Sequence, residues 1–182
     1  MARPVGNTHK TIPVPPVPEH TTYWEVGGVK IGLEGRFLTG AILADHFSKD
    51  PEQARIFAEL AAKSTTNQAT LDDVGISIHV FDARDDKEYV RFDMFDGDPH
   101  YHYMTPGSHH IPVIFVTTAN PDYIGWTFER LATSLPAMME KAGAADAARH
   151  VDMAAVRAIL PELRAAADNA LASQRAEHVA IA

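Results

Sequence analysis

Four of the chain's ten histidines fall between residues 100 and 110, in the stretch DGDPHYHYMTPGSHH that runs from Asp96 to His110. Along an extended backbone, side chains alternate between faces. Asp98, His100 and His102 then point one way, and Pro99, Tyr101 and Tyr103 the other. His100 and His102 stand about 7 Å apart at Cα, two strand rises, so their ring nitrogens can meet one ion. Beyond the Pro106-Gly107 turn, His109 or His110 offers a third nitrogen, and Asp98 or Asp93 an oxygen. Two or three imidazoles plus one carboxylate suit Zn²⁺, or Fe²⁺ in a facial arrangement with open positions. The segment lacks the downstream Glu and terminal His of the cupin pattern, and it contains no His-Glu-x-x-His. A half-buried row of His and Tyr, hydrogen-bonded to Asp93, Asp96 and Asp98, accounts for the same composition without an ion.

A second constellation needs no metal. Ile76, Ile78 and Val80 share one strand face, as do Val90, Phe92 and Met94. Placing both rows on the core sets Val80 opposite Phe92 and Ile78 opposite Met94, with an odd-length turn around Asp85 and Asp86. His79 then lies across from Asp93 on the other face. An aspartate on one ring nitrogen fixes the tautomer and leaves the other nitrogen as a general base. Arg91 shares that face and suits an anionic substrate. Tyr101 or Tyr103 would donate to a developing oxyanion. The plainer reading of the same register is a surface His–Asp pair that contributes little. His46, His150 and His178 lie outside both constellations and are expected on the surface.

These residues need a sheet to hold them. YWEV and VKIGL alternate on either side of Gly27-Gly28, a hairpin signal that pairs Glu25 with Lys30 and Trp24 with Ile31. IPVIFVT at 111–117 is a further strand. Asp50-Pro51-Glu52 and Asn120-Pro121-Asp122 are helix starts. Pro136 should kink or divide the helix that follows, and Gly143 should stop it. Asp152 would cap a last helix with Met153, Val156, Leu160, Leu163, Ala167 and Leu171 on one side, interrupted or restarted at Pro161. Strands first and helices last, without βαβ alternation, predict an α+β chain. We expect an antiparallel sheet of about four to six strands with helices, two of them C-terminal, on one face. Ahead of it, residues 1–22 form an extended arm, locked by Pro13, Pro15, Pro16 and Pro18; residues 23–182 form a single domain.

RFDMFDGDPHYHY at 91–103, joined to IGWTFERLATSLPAMMEKAG at 124–143, resembles a group of uncharacterised bacterial proteins. In them an Arg-Phe-Asp strand leads to Pro-His-Tyr-His-Tyr and then to a Trp-Thr helix with a Met-rich end. The resemblance covers roughly residues 74–143. It carries no activity, and implies that the His/Tyr strand and the helix belong to one structural unit.

Composition narrows the function classes. The net charge is −8, so the basic surface that nucleic acid requires is missing. No apolar run approaches a membrane span, no secretory signal opens the chain, and no glycine loop cradles phosphate. With no cysteine there is no thiol nucleophile and no thiolate metal site, which fits a cytoplasmic protein. Three readings stand: a Zn- or Fe-dependent enzyme, a non-catalytic small subunit or binding module of a hetero-oligomeric enzyme, and a metal-free His/Asp/Tyr acid–base enzyme. The proline arm suggests a homo- or hetero-oligomer in which it lies on a partner.

Overall fold

The structure, a computed structural model, describes residues 8–63, 72–108, 111–115 and 122–181. The strands are β1 (Thr8–Thr11), β2 (Thr21–Val26), β3 (Val29–Thr39), β4 (Asp72–Asp82), β5 (Glu88–Phe95), β6 (His100–Tyr103) and β7 (Ile111–Phe115). The helices are α1 (Gly40–Ser48), α2 (Pro51–Lys63), α3 (Tyr123–Thr133), α4 (Leu135–Lys141), α5 (Ala145–Ala148) and α6 (Met153–Ile181). One antiparallel sheet runs in the order β1-β7-β6-β5-β4-β3-β2, so the chain is α+β. Six of its strands come from the body of the chain. The seventh, β1, is supplied by the arm, which pairs with β7 at the sheet edge.

Period-two alternation divides the sheet into unlike faces. Ile31, Leu33, Ile76, Ile78, Val80, Val90, Phe92 and Met94 are buried on one face with Leu131, Leu135 and Met139 of α3 and α4 and Val156, Leu163 and Ala167 of α6. The other face carries Glu34, Arg36, Ser77, His79, Arg91, Asp93 and His102, all buried as well. Charges on a sheet face normally meet water. Here the proline segment crosses them: Val17 N donates to Glu34 Oε1 (3.2 Å), and Arg36 and Arg91 donate to the Val14 carbonyl. Helices α1 and α2 fasten the segment, since His46 Nε2 donates to the Ile12 oxygen (2.9 Å) and Ile12 N to Gln53 Oε1 (3.0 Å). His46, expected at the surface, is half-buried for that reason.

The β2–β3 hairpin has the expected register, Glu25 with Lys30 and Trp24 with Ile31, turning on two positive-φ glycines. The β4–β5 register differs from expectation by two residues: Val80 meets Val90, Ile78 meets Phe92 and Ile76 meets Met94. Both apolar rows face the core in either alignment, so patterning cannot choose between them. A bulge that leaves Tyr89 unpaired, with Phe81 opposite Glu88, decides it. His79 therefore faces Arg91, and Asp93 faces Ser77.

Helix signals act locally and mostly held. Asp50 Oδ1 accepts from Glu52 N and Gln53 N; α3 is capped by Asp122 through Gly125 N, and the cap-plus-proline start expected at Asn120-Pro121 lies outside the described residues. Pro136 separates α3 from α4, and Gly143 ends α4 at φ 92°. Pro161 is the departure: α6 passes through it unbroken, because buried Val156 before it and Leu163 after it seat both halves on one core.

Candidate metal centre

β5 and β6 place Asp93 opposite His100 and Arg91 opposite His102. Asp93, His100 and His102 therefore share one face, as period-two geometry requires. Asp93 Oδ2 lies 3.1 Å from His102 Nε2 and 3.4 Å from His100 Nε2. One ligand atom from each of the three lies within 4.8 Å of the others, and no second cluster of this kind occurs among the described residues. The opposite nitrogens are committed: His102 Nδ1 donates to the Pro112 carbonyl (3.0 Å) and His100 Nδ1 to the Asp98 carbonyl (2.5 Å). A carbonyl only accepts, so both Nδ1 atoms carry hydrogen, and in a neutral ring Nε2 has only a lone pair. Ser77 Oγ donates to the other carboxylate oxygen of Asp93. Such outer hydrogen bonds orient metal ligands and set their tautomers.

Burial works to lift the Asp93 carboxyl, but the hydrogen bonds from His100 and His102 outweigh it and hold it well below the usual carboxylate range. The two rings divide. Burial pulls both down; the Asp93 carboxylate prevails at His100, which lies above its ordinary value. At His102 burial prevails, reinforced by the charge on His100, and the ring lies below its ordinary value.

A second cluster adjoins the first. His79 sets Nδ1 against Glu88 Oε1 (2.7 Å) and Nε2 against Glu34 Oε2 (3.1 Å). Arg91 grips both Glu88 oxygens, from Nε at 2.8 Å and Nη2 at 2.6 Å. Burial pushes Glu88 up, yet Arg91 first and His79 second bring it down to about 2. Arg36 links the clusters, 3.6 Å from Glu34 and 4.0 Å from Asp93.

The structure thus brings His100 and His102 onto one acid, and that acid is Asp93. Asp98 precedes the strand; its N–H donates to Asp73 Oδ2 and its carbonyl holds His100. His109 and His110 lie outside the described residues. His79 is paired with Glu34 and Glu88 in place of the Asp93 expected from the other register. Arg91 lies on the charged face, bound to Glu88. Tyr101 and Tyr103 point to the helix side, where Tyr101 meets Trp126 at 5.3 Å between centroids, so neither faces Asp93. Glu34, Arg36, Ser77 and Glu88 went unrecognised in the sequence. Their alternation with core residues was legible, but alternation alone assigns such residues to solvent.

A family model described as Domain of unknown function (DUF7700) matches residues 23–167. No curated protein and no solved structure matches the chain. The matched segment contains Asp93, His100, His102 and every charged partner named above, and leaves out the arm.

Proposed function

The chain belongs to the family Domain of unknown function (DUF7700), and from that premise we propose that it is a metal-dependent enzyme, with Zn²⁺ or Fe²⁺ held by Asp93, His100 and His102. One observation carries this reading. Both Nδ1–H groups are spent on backbone carbonyls, so each ring turns its Nε2 to Asp93, and with any Nε2 proton displaced three acceptors converge where a cation would satisfy all of them. The spacing suits an ion. Ligands about 2.0–2.1 Å from a metal stand about 2.9 Å apart at an octahedral edge and about 3.3 Å apart at a tetrahedral one. The separations from Asp93 are 3.1 and 3.4 Å. Three protein ligands leave a position for substrate or water, where a divalent ion polarises an oxygen or lowers the pKa of water. Asp93 and Ser77 hold the set in register, and the covered face excludes bulk water. The tyrosine-assisted, metal-free scheme has less support, because Tyr101 and Tyr103 face the helices.

Elemental analysis of native protein tests the proposal. Near one equivalent of zinc or iron is expected, lost in the His100→Ala/His102→Ala double variant. Folded wild-type protein that neither contains nor takes up a transition metal overturns it.

A further inference from the structure

The arm sets two backbone oxygens where two buried cations converge. The Val14 carbonyl accepts from Arg91 Nη1 at 2.6 Å and from Arg36 Nη2 at 3.2 Å, and Arg36 Nη2 also reaches the Pro15 carbonyl at 3.2 Å. Both guanidiniums are almost fully buried, at 1% and 5% exposure. An oxygen shared between two guanidiniums in a dry site occupies the place of an anion's oxygen. The carbonyl there carries only a partial charge. Pro13, Pro15 and Pro16 have no N–H, so the arm can approach cations with acceptors and little else. The arginines lie inside the matched segment 23–167 and the arm outside it.

Position and charge indicate the occupant. Arg36 Nη1 is 4.0 Å from Asp93 Oδ1, so one guanidinium spans from the Val14 carbonyl to a candidate metal ligand. On the other side a cavity of ≈ 320 Å³ extends from Glu88 and Arg91 past Pro13, Pro15, Met104 and Ile111. That volume is at the lower end for small-molecule sites, and its walls are largely apolar. An oxygen carrying a full negative charge in the place of the Val14 carbonyl would meet both guanidiniums, which a carboxylate supplies.

We propose that Arg36 and Arg91 bind the carboxylate of a small, largely apolar acid, and that the Val14 and Pro15 carbonyls compete for the same place. The inference names the substrate class of the metal centre and rests on that reading for the ion beside the anion. His46 and Gln53 hold the arm at Ile12, and among the described residues neither is hydrogen-bonded to Arg36 or Arg91, so the His46→Ala/Gln53→Ala variant loosens the competitor and spares the site.

Calorimetric titration of full-length wild type and of this variant, each with and without one equivalent of zinc, uses benzoate as probe and benzamide as its neutral counterpart. Zinc content is measured on the same samples. Benzoate is expected to bind the zinc-loaded variant at least tenfold tighter than wild type, benzamide to bind neither, and Arg36→Met in the loosened background to abolish benzoate binding. Equal benzoate affinity in wild type and variant, or benzamide binding as well as benzoate, overturns the proposal. Retained zinc without benzoate binding removes the anion site and leaves the metal centre standing. Arm-dependent benzoate binding without zinc uptake upholds the arginine site and removes the metal centre.

Discussion

His102 Nε2 lies 3.1 Å from Asp93 Oδ2 while its Nδ1 is held by the Pro112 carbonyl, so the ring is locked with its second nitrogen on a carboxylate. A cation that bridges the two binds the folded chain alone, because the unfolded chain does not bring them together. Zinc at about a hundredfold over its dissociation constant then adds about 2.7 kcal/mol. In a domain of this size that is about 5–10 °C in melting temperature. Scanning calorimetry should record the rise in wild type and no rise in His102→Ala. A wild-type midpoint indifferent to zinc contradicts the bridge.

Ser77→Ala removes the hydroxyl that donates to Asp93 while leaving all three ligands. Its site is fully buried, so no water replaces the bond. Loss of such a supporting contact lowers metal affinity by about 10–100-fold. Competition against a chromophoric chelator measures this, and affinity within twofold of wild type would show that Ser77 does not orient the carboxylate.

Glu88 ties acid stability to the charged face. Its folded pKa is held down at about 2 against an ordinary 4.5. The stability it contributes is complete above pH 4.5 and disappears as pH falls from there towards 2, because the unfolded chain takes up the proton first. The loss amounts to roughly 3 kcal/mol across that window. Urea unfolding at a series of pH values should give a steeper acid slope for wild type than for Glu88→Gln. Parallel slopes would assign the acid sensitivity to other carboxylates.

Gly27 takes φ 54° in the β2–β3 turn, and a Cβ there would stand 2.6 Å from the Asp152 carbonyl oxygen. The Gly27 oxygen also accepts from Asp152 N at 2.9 Å, so the turn is docked on the start of α6. Gly27→Ala combines left-handed strain of about 1–2 kcal/mol with displacement of that contact. We expect a loss of about 2–4 kcal/mol in chemical denaturation. A change below about 0.5 kcal/mol would mean that the turn and α6 separate freely.

Pro161 lies exposed inside α6 and cannot donate to the Arg157 carbonyl. Pro161→Ala restores that bond in a position of good helix propensity and should stabilise the fold by up to about 3 kcal/mol. Thermal unfolding followed by circular dichroism tests the sign. A lower melting temperature would show that the backbone geometry Pro161 imposes is needed to seat Val156 and Leu163 together.

Properties set by neighbours along the chain were legible without coordinates. They include the Gly27-Gly28 hairpin with its register, the caps at Asp50 and Asp152, the break at Pro136, and the common direction of His100 and His102. Each depends on φ preferences, on a side chain within a few residues of its target, or on strand periodicity. The partners of those histidines depended on contacts far apart in sequence. A bulge at Tyr89 moved β5 by two residues and gave His79 to Glu34 and Glu88 and Asp93 to Ser77, while both core rows stayed buried in either alignment. Continuity of α6 through Pro161 was likewise decided by a core that holds both halves. The arm made the largest difference: by crossing Glu34, Arg36 and Arg91 it turned a face that alternation assigns to solvent into a dry, charged interior. Burial belongs to whatever packs above a residue, and no local pattern records which segment that will be.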